Sequence, residues 1–341
     1  MVKRLGVPLL VAATLSGTTL NSTTDLRVHE WGTFTSMAGP DGTAIEWTPL
    51  GGPSELPCFV TVLNPTSIKV GPKGIGGIKA TVRMETPVLY FYTPHEQTVR
   101  VSVRFRQGLI TEWYPQAKVP PVYSLNLATA MGAIDWDEVA IQPGANPRFP
   151  VDGDKSHYYA ARETDAAPVR VGSQSEKFLF YRGLASFPVP MTATIEDTGA
   201  VDVQTTGDGV INTLVLFQND GERVGYRVIR DAPARLTLNR PVLTDTVEAL
   251  RADLQTLLIE HGLFPREARA MVETWRDTWF APGTRIFYLV PRAIVDAVLP
   301  LQIDPQPLDV TRVFVGRIEL SASVVQPNPA SPVSSCAATP R

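Results

Sequence analysis

LRVHEWGTFTSMAGPDG, residues 26–42, decides how the chain must be laid out. Alternate residues of a strand share a face. Leu26, Val28, Glu30, Gly32 and Phe34 therefore fall on one side, and Arg27, His29, Trp31, Thr33 and Thr35 on the other. An uninterrupted strand aims Glu30 the same way as Leu26, Val28 and Phe34. Either a bulge near His29 resets the alternation, or Glu30 is buried and needs an Arg or a backbone N–H, because an unpaired buried carboxylate is costly. The third reading is a catalytic or ligand-binding carboxylate.

Outward from this segment the chain reads mainly as strands. Residues 81–94, 97–108, 109–115 and 176–190 are rich in β-branched and aromatic residues and bounded by Pro or Gly. Residues 212–218 and 223–230 flank Asn219-Asp220-Gly221, a hairpin signal in which Gly221 supplies a positive φ. Residues 285–291 and 311–321 return to strand. Residues 116–175 carry few periodic runs and much Pro, Asp and Ala, and read as long loops with short elements.

Helix appears late. Residues 245–261 place Val247, Leu250, Leu254, Leu257 and Leu258 on one face, with Asp245 as N-cap and Gly262 as the stop. A second helix opens on Pro265, with Ala268, Val272, Trp275 and Trp279 as its apolar stripe. The expected fold is an antiparallel β-sandwich-like body, at 25–240, with a helical pair inserted or packed onto it and returning strands at 241–323. The polar, Pro- and Ser-rich tail at 324–341 reads as disordered.

At the other end, Lys3 and Arg4 precede an apolar run, Leu5–Leu15, followed by small and hydroxyl residues. That layout is a secretory signal over residues 1–18, and the run is shorter than the ~20 residues of a membrane span. Export to the periplasm or beyond follows, with no membrane span left after its removal. The 341 residues include 31 basic and 34 acidic side chains, a formal net charge of −3. Loss of Lys3 and Arg4 leaves 29 against 34, about −5, with no other basic run, which argues against nucleic acid as a partner. Whether Cys58 and Cys336 pair is open, Cys336 lying in the tail.

The chemistry-bearing residues are few. Glu30-Trp31, Glu46-Trp47, Glu112-Trp113 and Asp135-Trp136 each join an acid to a Trp. Carboxylates accept hydroxyl hydrogen bonds and a Trp face stacks on sugar C–H groups, so Trp31, Trp113, Tyr114 and Arg162 are ligand-binding candidates. The plainer reading is strand alternation, Trp inward and acid outward. Glu30 and Glu112, with His157 or Glu85 nearby, are catalytic candidates, since two acids flanking one glycosidic bond can hydrolyse it. His157 sits in a polar loop and its ring titrates near ~6.5 when unperturbed. His95 and His261 read as structural. No H-E-x-x-H, G-x-S-x-G, paired C-x-x-C or phosphate loop occurs, and neither a metal nor a cofactor is expected. Asp152 and Asp154 make at best a weak Ca²⁺ motif.

The segments VHEWGTFTS (28–36), METPVLYFY (84–92), GLITEWYP (108–115), ARAMVETWRDTWF (268–280) and VFVGRIEL (313–320) together resemble a group of uncharacterised exported bacterial proteins. Their mature chains open with a similar HEWGT-type segment. The resemblance spans nearly the whole mature chain, which implies one folding unit, and it brings no assigned activity or catalytic residue. Two functions of different class are therefore expected from the residues alone. The first is an extracytoplasmic binding or structural β-protein whose partner is carbohydrate or another extracytoplasmic protein. The second is a glycosidase-like hydrolase using paired carboxylates.

Overall fold

The segment around His29 forms strand β1, Arg27–Met37, and keeps its alternation throughout. Val28 and Phe34 enter one apolar core and Trp31 enters a second on the opposite face. The computed structural model describes residues 25–51, 56–63, 74–122, 124–153, 156–207 and 211–320. The expected signal at 1–18, the tail at 324–341, Cys336 and Asp154 lie outside the described residues. Cys58 is not a free thiol.

After β1 come β2 (Thr61–Val62), β3 (Val82–Tyr92), β4 (Gln97–Arg106), β5 (Gly108–Tyr114) and β6 (Met131–Ile141). Next are β7 (Val169–Val171), β8 (Gln174–Glu176), β9 (Leu179–Ala185), β10 (Met191–Ile195) and β11 (Val201–Thr205). The hairpin β12 (Thr213–Asn219) and β13 (Val224–Arg230) follows, then β14 (Arg235–Leu238). Helices α1 (Val247–Glu260), α2 (Pro265–Thr274) and α3 (Arg276–Trp279) precede β15 (Gly283–Leu289). Helix α4 (Arg292–Val298), β16 (Leu301–Asp304) and β17 (Asp309–Glu319) complete the described chain.

These strands build three sheets, and with 44% strand against 17% helix among the described residues the fold is mainly β, as expected. A nine-stranded sheet runs β13-β12-β15-β17-β1-β3-β9-β5-β2; a five-stranded sheet runs β16-β4-β6-β7-β8; a three-stranded sheet runs β10-β11-β14. Pairing is antiparallel except at the centre of the large sheet, where β1 and β17 run parallel. One face of the large sheet packs on the smaller sheets through Val28, Phe91, Val101, Trp136 and Met191. The other face carries α1–α3, through Trp31, Tyr90, Leu254, Met271 and Trp279. The result is a sandwich with a helical layer on its back.

Several local expectations need correction. Residues 116–175 are long loops with short elements, as expected, except for one long strand: β6 occupies eleven of them, at the middle of the five-stranded sheet. Its apolar positions, Ile134, Trp136, Val139 and Ile141, break the period of two because the β4–β6 pairing slips by one residue between Trp136 and Val139. The N-cap of α1 is Thr246, whose hydroxyl accepts from the Ala249 N–H; the Asp245 carboxylate instead accepts from the Tyr226 N–H. At the tip of the β12–β13 hairpin Gly221 takes φ +100°, as the turn requires.

Candidate functional site

Glu30 points into the sandwich core, and the strand holding it is not bulged. Its carboxylate is fully buried; Oε1 accepts from the Tyr181 hydroxyl at 2.5 Å and Oε2 from Arg312 Nε at 2.5 Å. Arg312 reaches on to Asp296 of α4 at 2.7 Å. Burial pulls the Arg312 guanidinium down, but Glu30, Tyr181 and Asp296 together outweigh it and the group is held above its usual range. Glu30 thus has the Arg partner that one of the sequence readings required.

Glu112 sits on the opposite face of the same sheet. In the β5–β9 pairing Trp113 lies against Tyr181 in the sandwich core, whereas Tyr114 lies against Phe180 beneath the helices. Glu112 is in register with Arg182, and the Arg182 guanidinium lies 5.8 Å from both the Phe180 and Trp275 rings, so both residues face the helical layer. A whole sheet separates Glu30 from Glu112, and the two cannot flank one bond. That expected pair is withdrawn.

What Glu112 does meet is a row of buried polar side chains running across neighbouring strands. Thr33 of β1 is in register with Glu85 of β3, and Glu85 adjoins Thr86, whose hydroxyl accepts from Arg182 Nε at 3.4 Å and Nη2 at 3.3 Å. Arg182 of β9 is in turn in register with Glu112 of β5. Thr33, Glu85, Thr86, Arg182 and Glu112 are each at least 93% buried, with exposures of 0, 5, 2, 6 and 7%. Glu85 accepts from the Thr35 hydroxyl at 2.7 Å and lies 3.4 Å from Arg83 Nε; Glu112 accepts from the Thr111 hydroxyl.

The row is assembled by two irregularities. Pro87 within β3 withholds a ladder hydrogen bond, and the β1–β3 register shifts there. Thr86 takes φ +48°, a left-handed conformation that a β-branched residue adopts only under constraint. A second shift, between Ile110 and Glu112, makes Thr111 the extra residue of β5 and turns Glu112 onto the helical face. A small cavity reaches two members of the row, Thr86 and Arg182, and is lined elsewhere by Leu56, His157, Thr274 and Trp275 among others.

His157 is therefore brought to the same face as Glu112, while its Nε2 is 2.7 Å from Asp277 at the start of α3. The ligand-binding candidates fare differently. Trp31, Trp113 and Tyr114 are buried core residues, and five of the six tryptophans are buried with Trp47 half-buried, so none offers an open stacking face. Arg162 is a structural clamp: Nε and Nη2 grip Glu176 at 2.9 and 2.7 Å, and Nη2 also donates to the Pro150 carbonyl at 2.8 Å. Burial pushes the Glu176 carboxyl up against the opposing pull of Arg162.

Arg182 and Thr86 did not emerge from the sequence, although each left a trace. Arg182 is the lone charge inside LFYRGLA (179–185), an otherwise apolar strand, and Thr86 precedes the only Pro of METPVLYFY. Among the described residues no group of His, Cys, Asp and Glu has the geometry to hold a metal ion. None of the described helices is long and apolar enough to cross a membrane. Searches with protein-family models and against curated proteins give no match to this chain.

Proposed function

We propose that this is an exported, extracytoplasmic protein that binds a hydroxyl-rich ligand, a carbohydrate in the first instance, at the polar row beneath α2 and α3. The observation that carries the reading is the grouping of Glu85, Thr86, Arg182 and Glu112 in one buried patch of the sheet face that packs on the helices. Burying two carboxylates and a guanidinium is expensive, and packing alone would be served as well by apolar residues. The set also suits hydroxyl groups: carboxylates accept from them, the guanidinium donates to them, and the buried Trp275 adds an Nε1–H without a partner among the described residues. A glycan array probed with the purified protein tests this. Binding to a defined glycan class supports it, and a blank array at micromolar protein defeats it.

A second reading is favoured by one relationship. Glu85 and Glu112 share a face on strands two apart, and at about 4.8 Å per strand their backbones lie about 10 Å from each other. Side chains leaning together would bring the carboxyls into the ~6.5–9.5 Å range of an inverting glycosidase. Turnover of a chromogenic glycoside that is abolished in both Glu85→Gln and Glu112→Gln would make the protein a hydrolase; binding without turnover would leave it a receptor.

A further inference from the structure

We propose that a second pocket, between α2 and the chain entering β9, binds a tetrahedral oxyanion, a phosphate or sulfate group, through Lys177, Arg266 and Thr164. The pocket encloses about 520 Å³ and is lined by the end of β3, the turn after β6, residues 162 and 164–168, Lys177 and Arg266. It is separate from the polar row and independent of any ligand there.

The donors around it sort into those already engaged and those not. The Arg162 fork is spent on Glu176 and the Pro150 carbonyl, and the Tyr92 hydroxyl donates to Glu267 at 2.7 Å. Arg266 Nη1 neutralises Asp165, the acid that lines the pocket, at 2.5 Å. Three donors remain. Lys177 is half-buried and forms no ion pair among the described residues. Arg266 Nε and the hydroxyl of Thr164, itself 96% buried, have no hydrogen-bond partner among the described residues. Buried donors in folded proteins are nearly always satisfied, so two left open beside an unpaired ammonium around one cavity mark where an acceptor belongs. Burial, and then the Arg266 charge, push the Lys177 ammonium below its usual range. A doubly charged acceptor with several oxygens satisfies all three donors.

Isothermal titration of the purified protein with inorganic phosphate and, separately, with sodium sulfate at low ionic strength tests the site. Saturable one-to-one binding of either ion is expected, weakened at least tenfold in Lys177→Met and clearly reduced in the near-isosteric Thr164→Val. Circular dichroism confirms that both variants stay folded. Phosphate binding alone would point to a phosphorylated ligand and sulfate binding alone to a sulfated one; either supports the site. No saturable binding of either ion, or binding unchanged in both folded variants, overturns it.

Discussion

Glu30 and Arg312 face each other in register across the parallel β1–β17 pair, joined at 2.5 Å and both almost wholly buried. The first and last strands of the described chain are thus fastened at the middle of the nine-stranded sheet by one ion pair. Removing a single partner of such a pair leaves an uncompensated charge, whereas replacing both with apolar groups is often tolerated.

Glu30→Leu is accordingly expected to lose about 3–5 kcal/mol of stability, and the double variant Glu30→Leu/Arg312→Leu to regain most of it. Urea denaturation of the two variants beside the wild type measures this. A Glu30→Leu protein within 1 kcal/mol of wild type, on the scale set by a single surface pair, would mean that the pair does not fasten the sheet.

The buried tyrosines make stability fall in alkali. Burial, reinforced by Glu176, pushes Tyr114 up to about 12, and burial holds Tyr90, Tyr158 and Tyr181 well above their ordinary range. The unfolded chain ionises its phenols near ~10, so above that pH the folded state retains the protons. Their contribution is complete below pH ~10 and is lost as the pH rises toward the folded values. Tyrosinate absorbance and far-UV circular dichroism, followed together, should change in one step above pH ~10. A gradual ionisation near pH ~10 with unchanged dichroism would contradict the burial described above.

Gly316 of β17 lets the Tyr288 ring lie flat on the strand: a Cβ there would come within 2.0 Å of the ring. Gly316→Ala should cost about 1–3 kcal/mol, and more if Tyr288 cannot turn aside. A thermal melt of that variant indistinguishable from wild type would show that the ring is free to move.

How far all this was legible in the sequence depends on the range of the interaction concerned. Alternation in residues 26–35 placed His29 and Trp31 on one face and Glu30 on the other, because a strand's faces are fixed by neighbours in sequence. The hairpin at Gly221 and the helix start at Pro265 are equally local, and both hold. The partners of Glu30 lie 151 and 282 residues away, at Tyr181 and Arg312, and no local pattern selects them. The same limit explains the mistaken pairing of Glu30 with Glu112. Parity gives a face relative to one strand, and the register shift at Thr111 decides which face of the shared sheet Glu112 takes. Strand β6 was missed because its slip between Trp136 and Val139 erases the alternation that would have revealed it.

The proposed ligand site rests on Arg182 and Glu112, not on Glu30 or on any tryptophan face. Its most direct test is the affinity of the strongest array-bound glycan, measured by titration calorimetry, for wild type, Arg182→Met and Glu112→Gln. At least a tenfold loss in both variants is predicted, with their folds intact by circular dichroism. Unchanged affinity in either folded variant would contradict the claim and move the binding site elsewhere on the molecule.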